Sequence, residues 1–199
     1  MNNNETIRIM EERISNRIFT NRDVPEDDMV VILQSANQAP SAHNRQPWRF
    51  LVLLGNRKQE LVRLVSDKAA EFSKPWSTLL RMAARSISSA PVVVVVVTTG
   101  ELTQHGTRSF EYGADAADFF RTMEIQSSAA AVQNMLLAAA SLGLASVWLG
   151  ILYLARDDVF GLLDLQDGEL IAVVPIGYAL KKTVPPRKKS LPSVVTYLS

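Results

Sequence analysis

Apolar residues at Ile7, Met10 and Ile14 recur at steps of three and four, which predicts an amphipathic first helix over 5–14. Val24-Pro25, followed by Glu26, Asp27 and Asp28, opens a second, because proline and carboxylates suit a first turn. Met29, Ile32, Leu33 and Ala36 form its apolar face, and the pattern ends near Gln38. Residues 39–50 break the periodicity. A strand is predicted over 50–54, closed by Gly55, then helices over 57–72 and 76–89 separated by Lys74-Pro75. Six consecutive valines inside 91–98 predict a central strand covered on both faces. The polar stretch 99–113, with Gly100, Gly106 and Gly113, predicts an irregular excursion over a pocket. The longest helix is predicted over 119–142. It is apolar almost all round, so it belongs in the middle of the molecule or in a subunit interface, with Gly143 at its C-terminal cap. A strand over 145–149, a helix over 155–163 and a strand over 170–176 follow. Alternating helices and buried strands make this an α+β or α/β layered chain. The expectation is one domain over 1–199, with 183–199 as a C-terminal arm.

Composition narrows the function. With 47% hydrophobic and 21% charged residues, the 199-residue chain has an ordinary globular make-up. Its 21 Lys and Arg against 20 Asp and Glu give a net charge of +1, which argues against nucleic acid or an anionic membrane as partner. The absence of cysteine excludes disulfides, thiolate nucleophiles and sulfur-ligated metals. His43 and His105 lack metal-ligand spacing, so no metal is expected. The N-terminus has no secretory signal pattern, and 129–148 is interrupted by Gln133, Asn134, Ser141, Gly143 and Ser146. A soluble, cytoplasmic protein is expected.

The candidate chemistry lies in two places. In 39–50, Pro40 and Pro47 stiffen a loop that carries Ser41, His43, Asn44 and Gln46 before Trp48. It is either a binding loop held by rigid neighbours or a tight connection with a buried tryptophan. Arg13, Ser15 and Arg17 alternate, so an extended backbone would gather two guanidinium forks and a hydroxyl on one side, a set suited to phosphate. The alternative is a solvated helix end. Glu124 and Gln126 either line a pocket or, in the case of Glu124, supply a helix-start acid. No GxGxxG, GxxxxGK[ST] or GxSxG motif is present, and no side chain stands out as catalytic. An enzyme built this way would take its chemistry from a cofactor.

Arg13-x-Ser15-x-Arg17-x-Phe19, then Val24-Pro25, then Ala39-Pro40-Ser41-x-x-Asn44-x-Gln46-Pro47-Trp48 resembles the nitroreductase family of FMN-dependent oxidoreductases. So do Leu142-Gly143-Leu144-x-Ser146-Val147-Trp148-Leu149-Gly150, Ile176-Gly177-Tyr178 and the basic Arg187-Lys188-Lys189. The resemblance implies an α+β homodimer with a central, mainly antiparallel sheet flanked by helices, and two FMN molecules in clefts shared by the subunits. It implies that Arg13, Ser15 and Arg17, completed by Arg187 and Lys189, bind the phosphate and ribityl chain. Pro40, Ser41, Ala42, Asn44 and Gln46 would reach the flavin from the partner. Trp148, Leu149 and Gly150 would lie along the ring, with a backbone N–H near its reactive nitrogen; core packing is the other reading of Trp148. The implied activity is electron transfer from NAD(P)H to nitroaromatic, quinone or similar small-molecule acceptors in ping-pong order. The alternatives are a flavin-binding or storage protein with little turnover, a specialised reaction such as dehalogenation or flavin fragmentation, and a purely structural dimer.

Overall fold

The computed structural model describes residues 4–109, 113–181 and 183–198. Its sheet has four strands in the order β1-β2-β4-β3, with antiparallel neighbours throughout. They are β1 (Trp48–Leu53), β2 (Val92–Thr98), β3 (Ala145–Ser146) and β4 (Leu170–Gly177). The helices are α1 (Glu5–Glu12), α2 (Glu26–Asn37), α3 (Gly55–Lys68), α4 (Trp76–Ser89), α5 (Glu101–Ser109), α6 (Gly113–Ser141) and α7 (Arg156–Leu163). This is the mixed helix-and-antiparallel-sheet architecture expected from the sequence.

The valine run makes β2 the centre. Successive side chains on a strand point to opposite faces, and here they divide cleanly. Val93, Val95 and Val97 pack with Leu61, Leu80 and Ile87 of α3 and α4. Val92, Val94 and Val96 pack with Ile32 of α2 and Val132 and Met135 of α6. All seven residues of β2 are buried. Its register with β4 slips between Val96 and Val97, next to the loop at the sheet's end.

Several boundaries move, each for a local reason. The strand β1 begins at Trp48, two residues before the expected start; Trp48 is buried and its indole N–H donates to Asn37 Oδ1 at 2.9 Å. The expected strand 145–149 holds only Ala145 and Ser146 in regular pairing. Leu149 keeps one isolated bridge to Val173, and the chain then turns through a 3₁₀ stretch, Gly150–Ala155. Most of the expected excursion 99–113 is instead α5, while 110–112 lie outside the described residues. A glycine-bearing polar stretch folds as helix because tertiary contacts override weak propensity. The long helix accordingly starts earlier than expected, at Gly113. Within the described residues no helix is long and apolar enough to cross a membrane.

After α1 the chain is extended, with Arg13 at φ −62°, ψ 123°. Ser15 bridges Ser146 in parallel, and Phe19 bridges Ala179 antiparallel. The tail re-enters beside the head of the chain: Thr20 N–H donates to Tyr178 O at 2.8 Å, and Leu180 N–H to Ile18 O at 3.1 Å.

Two substitutions test this account by urea denaturation. Ile32→Ala, at a fully buried position under β2, is expected to destabilise the protein by about 2–5 kcal/mol. Gly168 has φ +92°, and a Cβ there would fall 1.8 Å from the Thr98 carbonyl oxygen. Gly168→Ala is therefore expected to cost more than about 1 kcal/mol; an unchanged midpoint would contradict that close approach.

Candidate functional site

The extended segment after α1 separates two adjoining cavities. One, of about 390 Å³, is lined by Ser15, Asn16, Arg17 and Ile18 on one side, with Arg85, Leu180, Lys181 and Thr183 completing it. The other, of about 370 Å³, takes in Arg13, Ile14, Asn16, Gly143 and Ser146, with Arg8 and Glu12 at its edge. Asn16 belongs to both. It is buried, its N–H donates to Ser146 O at 3.1 Å, and its Oδ1 accepts from Thr183 Oγ1 at 2.7 Å. That bond ties the head of the chain to the base of the C-terminal arm.

The first cavity is electrostatically one-sided. Arg17, Arg85 and Lys181 line it, and no carboxylate does so among the described residues. None of the three has an ion-pair partner among those residues. Three cations without an ion-pair partner, set beside a serine hydroxyl, form a basic cradle whose chemistry suits a multiply charged anion such as a phosphate. Sequence reading found Ser15 and Arg17 but missed Arg85 and Lys181. Arg85 is an exposed residue of α4 that carries no motif, and it joins the cavity because the fold brings α4 to the 15–18 segment. Arg13 opens onto the neighbouring cavity, so the expected set of three is divided on either side of Asn16. Arg187 and Lys189 lie on the exposed arm, four and more residues beyond Thr183, and line neither cavity.

Trp148, Leu149 and Gly150 follow β3 after the buried Val147. Trp148 is half-buried and packs with the α2–α6 side of the core. Leu149 N–H is taken by Val173 O at 2.9 Å. Gly150 is exposed and begins the 3₁₀ turn, where a first N–H lacks a partner in its own helix. A Cβ at Gly150 would make only an ordinary contact with the Trp148 indole, at 3.8 Å from Nε1.

The loop with Pro40, Ser41, Ala42, Asn44 and Gln46 is tightly held. Ser41 Oγ accepts from Gln46 N–H at 3.0 Å, and Gln46 Nε2 donates to Asn44 Oδ1 at 3.2 Å. Helix α6 anchors it from below: Ala42 N–H donates to Ser127 Oγ at 3.2 Å, and Ser128 Oγ donates to Pro47 O at 3.3 Å. Within this frame His43, Asn44 and Gln46 all take positive φ, at 52°, 54° and 50°. Non-glycine residues rarely do so, and such local strain clusters at binding sites.

This loop faces a third cavity, of about 490 Å³. Its apolar wall is Leu102, Ala116, Phe119 and Phe120, and its polar edge is His43, Arg45, His105 and Asp115. Helix α5 is fixed there by Glu124, a buried acid inside α6. One Glu124 oxygen accepts from Leu102 N–H at 2.7 Å and the other from Thr103 Oγ1 at 3.2 Å. Neither sequence reading of Glu124 holds: it lines no described cavity and lies well inside its own helix, where it caps a different one. Gln126 is exposed and lines none of the three cavities. Arg121 links the same helix to Glu169 before β4, with Nη2 donating to Oε2 at 2.8 Å; that hydrogen bond raises its pKa above the usual arginine value.

A four-stranded antiparallel sheet between two helical layers, with the cradle at residues 15–18 and the strained loop at 40–46, defines the class. Residues 10–178 match the nitroreductase family, and the chain belongs to that family. It is accordingly an oxidoreductase. A protein of Archaeoglobus fulgidus, provisionally named an NADH dehydrogenase/NAD(P)H nitroreductase, is 30% identical over 178 residues, covering 87% of this chain and 85% of the relative. A protein from Desulfovibrio desulfuricans, provisionally named a nitroreductase and solved in complex with FMN, is 25% identical with a TM-score of 0.75, covering 100% of this chain and 99% of that one. The fold of NfrA2 from B. megaterium superimposes with a TM-score of 0.80 at 20% identity, covering 98% of this chain and 75% of that chain.

Glu124→Ala removes the acceptor for the first amides of α5, and an unsatisfied buried donor costs about 1–3 kcal/mol. Faster hydrogen exchange is expected at Leu102, with the amides of β2 unaffected. Unchanged protection at Leu102 would show that α5 is held by other contacts.

Proposed function

We propose that the protein is a homodimeric, FMN-dependent oxidoreductase that takes electrons from NAD(P)H and passes them to a nitroaromatic, quinone or similar small acceptor in ping-pong order. The observation that carries this reading is the cradle of Arg17, Arg85 and Lys181 beside Ser15, with no carboxylate among its described lining residues. A flavin mononucleotide ends in a phosphate that needs several charge-assisted donors, and this cavity offers them without a P-loop. The FMN complex of the Desulfovibrio desulfuricans protein supports the choice of ligand.

The whole chain acts as one FMN-binding unit, with 183–199 as an arm. Ser15, Arg17, Arg85 and Lys181 hold the phosphate, and Arg13, from the adjoining cavity, adds charge alongside. Trp148 and the exposed Gly150 offer a shelf for a flat ring, and the Gly150 N–H is the donor available to it, because that of Leu149 is already bonded. Bound FMN supplies the two-electron chemistry that no side-chain arrangement here provides.

The loop of Pro40, Ser41, Ala42, Asn44 and Gln46 contacts the flavin held by a second copy. In one chain this loop and the cradle belong to cavities that share no described lining residue. Unburied apolar surface supports pairing as well. Helix α1 has no buried residue, Met10 is 52% exposed, and on the arm Val184 and Tyr197 are 84% and 89% exposed. A second copy covers these surfaces and brings Arg187 and Lys189 to the phosphate of one of the two sites.

The purified protein titrated with FMN is expected to develop a bound-flavin visible spectrum that bleaches on addition of NADH or NADPH; the absence of both changes would overturn the reading. Arg17→Ala and Arg85→Ala are each expected to weaken FMN binding by about 1.5–3 kcal/mol, roughly ten- to a hundredfold. Light scattering is expected to give twice the 22.0 kDa chain mass, and a stable FMN-loaded monomer would contradict the shared cleft.

A further inference from the structure

The 490 Å³ cavity between the strained loop and the α5–α6 pair has a chemistry of its own. Its size suits a ligand of one or two aromatic rings. The apolar wall is firm: Leu102 and Phe120 are buried, and Phe119 meets Phe120 edge to face at 5.2 Å. A Cβ on Gly106 would fall 1.9 Å from the Phe120 ring, so the backbone of α5 rests directly on it. Glu124 pins the start of the same helix.

The polar edge has more donors than acceptors. Arg45 presents a guanidinium fork, and each imidazole, His43 and His105, offers at least one N–H. Asp115 is the one carboxylate among the described lining residues. Arg45, His43 and His105 have no hydrogen bond or ion pair from their side chains among the described residues, so their donors are available. Glu101 lies near Arg45 and His105 in a small adjoining cleft but forms no ion pair with Arg45. The backbone that presents His43 and Arg45 is fixed by the bonds from Ala42 to Ser127 and from Gln46 to Ser41.

An apolar slot closed by a donor-rich edge matches a flat aromatic ring bearing an anionic group. We propose that this cavity selects aromatic acids, with the ring against Phe119, Phe120 and Leu102 and the carboxylate at Arg45, flanked by His43 and His105. Calling this ligand the electron acceptor rests on the function proposed above, in which the same loop touches the flavin through Ser41, Ala42 and Asn44. For a nitro-substituted acid the balance is simple. The nitro group takes two electrons, delivered originally as hydride from NAD(P)H, together with two protons. It leaves as a nitroso group and water.

The test is a calorimetric titration of the FMN-supplemented protein with 4-nitrobenzoate and with uncharged 4-nitrobenzamide. The acid is expected to bind at least tenfold more tightly than the amide. Arg45→Gln is expected to collapse that ratio to near one, and Arg45→Lys, which keeps charge but loses the fork, to leave an intermediate ratio. Equal affinities in the unaltered protein, or an acid-to-amide ratio that survives Arg45→Gln, overturn the proposal. A further arm separates the acceptor from the phosphates of the reductant. If Arg45→Gln slows flavin reduction by NADPH while nitrobenzoate affinity is retained, Arg45 serves the nucleotide and the proposal is overturned. The titration needs no turnover, so selective binding without nitrobenzoate reduction would leave the aromatic-acid site standing and count against the oxidoreductase reading alone.

Discussion

A strand apolar on both faces has to be covered on both, and that requirement organises this molecule. The valines of β2 alternate between the α3–α4 layer and the α2–α6 layer, so these four helices take their positions from one strand, and α5 is held in turn by α6. Burying a valine or leucine side chain is worth about 1.5–3 kcal/mol, and the valine run repeats that gain at each step. The loop at 40–46 lies at one end of this sheet and the 15–18 segment beside the short strand β3. Both are irregular segments held by regular neighbours, where binding groups can be positioned without disturbing the core.

The second organising feature is the meeting of the chain's two ends. Residues 16–20 run beside 178–181 and Thr183, through the Phe19–Ala179 bridge and the bond from Thr183 to Asn16. The bond from Thr183 to Asn16 spans 167 positions of sequence, and the pairing is what brings Lys181 alongside Arg17. Arg85 arrives by a third route, on a helix held against the far layer of the sheet. An anion cradle assembled from three distant segments depends on the whole fold, in contrast to a P-loop, which carries its donors in one short stretch.

Local pattern made much of this legible. The valine run announced a strand buried on both faces, the Val24-Pro25 acid cluster announced the start of α2, and the alternation of Arg13, Ser15 and Arg17 left an extended basic segment and a solvated helix end as the two choices. What escaped were facts of tertiary packing. The stretch 99–113 looks polar and carries three glycines, but a buried acid on another helix holds 101–109 as α5. Arg85 and Lys181 show no spacing relative to Arg17 that could reveal a common cavity. Arg13 fell on the other side of Asn16 because the chain there pairs with Ser146 on one side and is tied to Thr183, so strict alternation did not decide which cavity each side chain meets. Trp48 was legible as an aromatic entering the core, while its bond to Asn37 was not.

The loop at 40–46 carries a restriction that concerns heredity more than chemistry. His43, Asn44 and Gln46 all sit in the left-handed region, where a β-branched side chain collides with its own backbone. Valine, isoleucine and threonine are therefore disfavoured at these positions whatever the ligand. Drift at the mouth of the large cavity is channelled towards asparagine, aspartate, histidine and glycine, so the supply of polar groups there follows from main-chain geometry before any selection for a substrate acts.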